Sequence, residues 1–146
     1  MIQQYRHPVG ATEWELPAGL LDIHGEAPWL AAARELAEEA DLRAEQWHVL
    51  ADYYASPGGM SEALRVYLAR ELSDVPESER HPREAEELGM PSGWLDLDDA
   101  VTAALTGRLN NVGAIVGVLA AAAARQRGWA TLRPADEPWP QHPAFR

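Results

Sequence analysis

The chain has 146 residues, no cysteine, and a formal net charge of −11 in which all twelve basic residues are Arg; that is room for one domain with a proper core. The missing cysteine excludes disulfides, thiolate zinc sites and cysteine nucleophiles, and the acidic balance argues against binding a nucleic-acid backbone. The longest apolar run, 112–124, is too short to cross a bilayer, and residues 1–10 carry neither a secretory apolar stretch nor a transit pattern, so a cytoplasmic protein with no membrane partner is expected.

Residues 1–5 read as a strand and 14–16 as a second, short one. Pro17 and Gly19 break that run, and a loop containing Gly25 leads to Pro28, a residue suited to the first turn of a helix. From 28 to 40 the apolar residues Leu30, Ala33, Leu36, Ala37 and Ala40 fall on one helical arc, with Glu35, Glu38 and Glu39 on the opposite one. Residues 46–55 are apolar and aromatic enough for a long strand, 56–59 (Ser-Pro-Gly-Gly) form a turn, and 63–72 alternate Leu64, Val66 and Leu68 against Arg65, Tyr67 and Ala69, as a strand does. Residues 73–91 are polar and acidic with three prolines, which predicts a long functional loop. A strand at 93–97, an Asp-capped helix at 98–106 and a long helix at 110–126 follow. Strands and helices interleave without regular βαβ units, so the expected class is α+β, a mixed sheet with helices on both faces. The domain is expected over 1–127. The tail, 128–146, holds four prolines and two of the six tryptophans, and is expected to lie extended over the surface.

Three carboxylates on one arc repel one another, which favours a role in holding a cation. An oxygen-only donor set suits Mg²⁺ or Mn²⁺ better than zinc. An ordinary solvated face of an Ala- and Glu-rich helix is an equal reading of those residues alone. The preceding loop tips the balance, because it ends at Glu26 and aims its carbonyls toward the helical carboxylates.

Gly19, Glu26, the run Arg34-Glu-Leu-Ala-Glu-Glu39 and Leu42 resemble the box of the Nudix hydrolase family, G-x5-E-x7-R-E-U-x-E-E-x-G-U, with U a bulky aliphatic residue. Six residues rather than five separate Gly19 from Glu26, and Asp41 stands where the box has its last Gly. The resemblance extends through QYRHP, WELPAGLLD, SPGG and RVYLA to the ADP-ribose pyrophosphatase branch. It implies a Nudix-like α/β/α sandwich and a metal-dependent pyrophosphohydrolase acting on a nucleoside diphosphate-sugar, splitting ADP-ribose into AMP and ribose 5-phosphate. Alternatives are another nucleoside-diphosphate-sugar pyrophosphatase, or a catalytically silent binding module.

The resemblance also assigns residues. Glu35 and Glu39 are the main metal ligands, joined by Glu26, the Ala18 carbonyl and Glu87. Glu38 completes the cluster as a catalytic carboxylate, Glu84 or Glu86 is the base, and Arg34 orients the carboxylates. Pro57, fifteen residues after Leu42, resembles the mark of ADP-ribose specificity. Arg6 either grips a phosphate or forms a structural ion pair. Relatives of this type carry strands ahead of QYRHP, so the chain reads as N-terminally reduced. An open edge at 2–5 is a template for pairing, and self-association as a homodimer, or low stability, is expected.

Overall fold

The computed structural model describes residues 1–82 and 90–145. Its elements run β1 (Ile2–Arg6), β2 (Ala11–Glu15), α1 (Pro28–Ala40), β3 (Leu42–Tyr54), β4 (Ala63–Asp74), α2 (Leu97–Leu105), α3 (Val112–Gln126) and β5 (Arg133–Pro134). The α+β class is as expected, and the expected mixed sheet is drawn as two antiparallel ladders, β1-β2 and β4-β3-β5. β3 and β4 run longer than their apolar patterns, from Leu42↔Asp74 at one end to Tyr54↔Ala63 at the other. Backbone pairing carries the ladder past the residues that a core requires.

The alternation in β4 sorts the two faces of this ladder. Val66, opposite Ala51, faces α3: a Cβ on Gly117 would stand 3.3 Å from Val66 and 2.6 Å from Leu16. Glycine at 117 therefore lets α3 lie flat across this face and the end of β2. Ala100, Leu109, Ala114 and Val118 are buried where α2 meets α3, with Leu16, Leu97 and Ile115 packed against them.

The opposite face carries a charged pair. Arg65 and Asp52 are directly opposed in register and joined by two bonds of 2.7 and 3.0 Å. Arg133 on β5 adds a third bond to Asp52 at 3.0 Å, and Arg65 also donates to the Glu137 carbonyl at 2.6 Å. The Trp139 ring covers the Arg65 guanidinium at 4.8 Å. An arginine in mid-strand needs acceptors and a lid, and here the tail supplies both. The tail, expected to lie extended over the surface, is tied down there: β5 pairs with β3, and Trp139 is buried. Pro28, at the head of α1, lines one hollow with Trp139. That places α1 on this second face and gives the expected helices on both sides.

The strand expected at 93–97 does not form. Ser92 makes a single bridge to Ile2, and Gly93 donates to the Met1 carbonyl at 2.8 Å. Asp96 then caps α2 by accepting from the Asp98 N–H at 2.8 Å, so the chain turns helical at Leu97. The cap is thus two residues ahead of the helix start read from sequence. Asn111 likewise caps α3, accepting from the Ala114 N–H at 2.9 Å. In the segment expected to be loop, β4 continues to Asp74, and Glu77–Glu79 form one turn of 3-10 helix.

Burial works against a charged Asp52, but hydrogen bonds from Arg65 and Arg133 outweigh it and hold the carboxyl below its ordinary value of 3.8. Ionised Asp52 therefore contributes stability above that ordinary value, and the contribution is lost as the pH falls through the lower folded value. Asp52→Asn should cost about 3 kcal/mol, the scale for leaving a buried charge without its partner, since the Arg65 side chain is only 2% exposed. Urea denaturation at neutral pH measures this, and the gap between wild type and variant should narrow below about pH 4. Equal midpoints at neutral pH would show that the network does not hold the tail to the sheet.

Candidate active site

α1 begins at Pro28, whose ring presets a helical φ, and no side chain caps it at Ala27. It ends at Asp41, which takes φ 55° and ψ 34° and donates its N–H to the carbonyls of Ala37 and Leu36. The left-handed backbone that the box normally gives to glycine is present, and an aspartate tolerates it. The Asp41 carbonyl accepts from the Val75 N–H at 2.8 Å, which ties the end of α1 to the end of β4.

Arg34 is the centre of the carboxylate face. Its Nη1 donates to Glu35 at 2.6 Å and to Glu38 at 3.2 Å, and its Nε and Nη2 donate to the two oxygens of Glu26 at 3.3 and 3.2 Å. Asp22 lies 4.0 Å away. One guanidinium thus gathers the loop carboxylate and two helical ones, using the fork geometry that suits it to bidentate acceptors. Hydrogen bonding to Glu26 raises the Arg34 pKa against the opposing effect of burial, with Glu35 adding to the rise. Burial pushes the Glu35 carboxyl above its ordinary range; Arg34 pulls it back, while repulsion from Glu38 and Asp22 pushes it up again.

Glu39, one helical turn beyond Glu35, meets the same loop. It is buried, and it accepts from the Ala18 N–H at 2.8 Å, fastening the loop after β2 to the helix. The next residue, Gly19, lies directly against Glu35: a Cβ there would stand 1.9 Å from Glu35 Oε1. Only a residue without a side chain allows backbone and carboxylate to meet so closely.

Among the described residues no three His, Cys, Asp or Glu groups converge at ion-holding distance, because Glu26, Glu35 and Glu38 close on Arg34. The donor set nonetheless fits a hard divalent cation. It is made of carboxylate oxygens, with a glycine loop cradled against one of them.

The other expected site residues separate into groups. Arg6 forms a two-pronged pair with the buried Glu15, both bonds 2.7 Å, which is the structural alternative among its two readings. Pro57 lies in the turn at the tip of the β3–β4 hairpin, at the opposite end of that ladder from Leu42 and α1. Glu84, Glu86 and Glu87 lie outside the described residues. Sequence reasoning passed over Glu15, which reads as one more alternating strand residue until the hairpin places it on the same face as Arg6. It also passed over a cleft of about 360 Å³ beside Glu38, lined by Arg34, Arg43, Glu79, Arg80 and His81. Those residues come from three separate segments, and only packing unites them.

Residues 1–114 match the NUDIX domain family. The chain is 47% identical over 143 residues to an ADP-ribose pyrophosphatase of Mycobacterium tuberculosis, covering 98% of this chain and 67% of that protein. It is 42% identical over 77 residues to an ADP-ribose pyrophosphatase of Bacillus subtilis, covering 53% of this chain and 41% of the relative. A methanol dehydrogenase activator of Bacillus methanolicus is 41% identical over 73 residues, covering 50% and 39%. The chain thus spans two-thirds of the length of the first relative and about two-fifths of the other two. With the box residues gathered around Arg34 on α1 and its leading loop, and with that match running from residue 1 to 114, the chain belongs to the NUDIX domain family.

Proposed function

We propose that the chain is a metal-dependent pyrophosphohydrolase that cleaves ADP-ribose to AMP and ribose 5-phosphate. The observation that carries this reading is the convergence of Glu26, Glu35 and Glu38 on one guanidinium, with Glu39 and Gly19 locking the loop against the same helix. The two ADP-ribose pyrophosphatases among its relatives support the choice of substrate.

Glu35 and Glu39, with Glu26 and the Ala18 carbonyl, would hold Mg²⁺ or Mn²⁺, and Glu87 would add a further ligand. Such an ion neutralises charge on the diphosphate oxygens and makes water a better nucleophile. Arg34 keeps the carboxylates apart and aimed before substrate arrives. Glu38 faces the cleft, and Glu84 or Glu86 takes the proton of the attacking water. The water oxygen bonds to one phosphorus, the bridging P–O bond breaks, and its electrons leave on the second phosphate. Pro57, at the hairpin tip, is assigned to substrate selection, while Arg6 is kept as the structural partner of Glu15.

Glu39→Gln should reduce turnover at saturating Mg²⁺ by at least about 100-fold, the scale of losing one charged group from a phosphoryl-transfer site. The fold should survive, because the Gln carbonyl still accepts from the Ala18 N–H. Full turnover in this variant would overturn the metal assignment. Gly19→Ala should act through Glu35, displacing its flexible carboxylate end. Melting should change little while metal affinity, read by titration calorimetry, falls roughly tenfold; unchanged affinity would mean that the loop does not shape the site. Finally, AMP release from ADP-ribose should exceed that from NADH or diadenosine polyphosphates when measured side by side, and preference for a dinucleotide would reverse the specificity.

A further inference from the structure

A chain with net charge −11 has to bring local positive charge to a diphosphate, and three of its twelve arginines line a cleft beside Glu38. Arg34 is occupied by carboxylates. Arg43, at the start of β3, and Arg80, beyond β4, are not saturated by the described residues. Each guanidinium has five N–H donors. Arg43 gives one to Glu79 at 2.8 Å, and Arg80 gives one to the Val75 carbonyl at 3.2 Å, with Asp41 at 3.8 Å. Their remaining donors have no partner among the described residues. The Arg43–Glu79 pair is half-exposed on both sides, and such pairs are weak. A phosphate dianion, which accepts two parallel N–H bonds, is the stronger partner.

The cleft wall contains no Trp, Tyr or Phe among the described residues. A base stacks best on an aromatic ring, and beside its guanidinium groups this cleft offers only the small apolar groups of Ala37, Val75 and Pro82 among the described residues. We propose that Arg43 and Arg80 form a phosphate clamp for the sugar side of the substrate, holding the phosphate that departs as ribose 5-phosphate. The clamp rests on the hydrolase reading for its place in the reaction. Glu79 is then its resting counter-ion, displaced when the phosphate enters. In this assignment the adenosine half lies outside the cleft, and the scissile diphosphate spans the boundary between Arg34–Glu38 and the two arginines.

The test is calorimetric binding of ribose 5-phosphate and of AMP to the full chain in magnesium buffer, which needs no turnover. Wild type should bind ribose 5-phosphate, and Arg43→Gln and Arg80→Gln should each weaken it about tenfold, one good charged contact, with AMP binding unchanged. Glu79→Gln should tighten ribose 5-phosphate by removing the competing carboxylate, and it leaves both arginines in place should an arginine variant fold poorly. In hydrolysis of ADP-ribose the arginine variants should lower kcat/KM by at least about tenfold, because the clamped phosphate gains charge as the bond breaks. No ribose 5-phosphate binding by wild type, equal binding by the arginine variants, or no tightening in Glu79→Gln would each overturn the clamp. Binding that depends on the arginines in a protein that does not cleave ADP-ribose would instead overturn the hydrolase reading and leave the clamp standing. Cleavage with binding indifferent to the arginines would do the reverse.

Discussion

Carboxylates crowded on one helix face repel unless a cation sits among them, and most of the functional architecture follows from how that repulsion is met. Arg34 meets it within the chain: one guanidinium holds Glu26 from the loop and Glu35 and Glu38 from the helix, at 2.6 to 3.3 Å. This arrangement is costly to desolvate and depends on every charge having a partner. It also means that the chain itself collects the carboxylates. Such collection is the part of metal-assisted hydrolysis that a protein can supply by itself.

The loop after β2 is held against the same helix. Glu39 turns inward and takes a backbone N–H at 2.8 Å, and Gly19 brings bare backbone against Glu35. Neighbouring residues on one helix thus divide the work. Glu35 and Glu38 face the guanidinium, while Glu39 anchors the chain segment that shapes the site. The left-handed Asp41 then ends the helix and, through Val75, fixes it to the end of β4, from which the cleft with Arg43 and Arg80 opens.

The far side of the sheet is organised around a second buried cation. Arg65 sits in the middle of a strand with Asp52 across from it, and the pair is completed only by the tail, through Arg133, the Glu137 carbonyl and the Trp139 ring. The tail therefore acts as part of the sheet. It also shares a hollow with Pro28 at the head of α1, which links the helix that carries the carboxylates to the network on β3 and β4.

The sequence by itself determined the local features. The apolar and acidic arcs of 28–40 gave α1 its observed bounds, because helix periodicity is written in neighbouring residues. The alternation in 63–72 gave β4 and its two faces for the same reason, and the spacing of Glu26, Arg34, Glu35, Glu38 and Glu39 pointed to the family. Tertiary structure decided whatever required distant residues to meet. Arg34 gathers Glu26 from the loop with Glu35 and Glu38 from the helix, Arg6 finds Glu15 only through the hairpin register, and the residues at 93–97 lose their strand to the Asp96 cap. The Asp52–Arg65–Arg133 network and the Arg43–Arg80 cleft join segments far apart in the chain. Side-chain period reports which way a residue faces, whereas the identity of its partner is set by how the elements pack, and that is why these contacts were not legible beforehand.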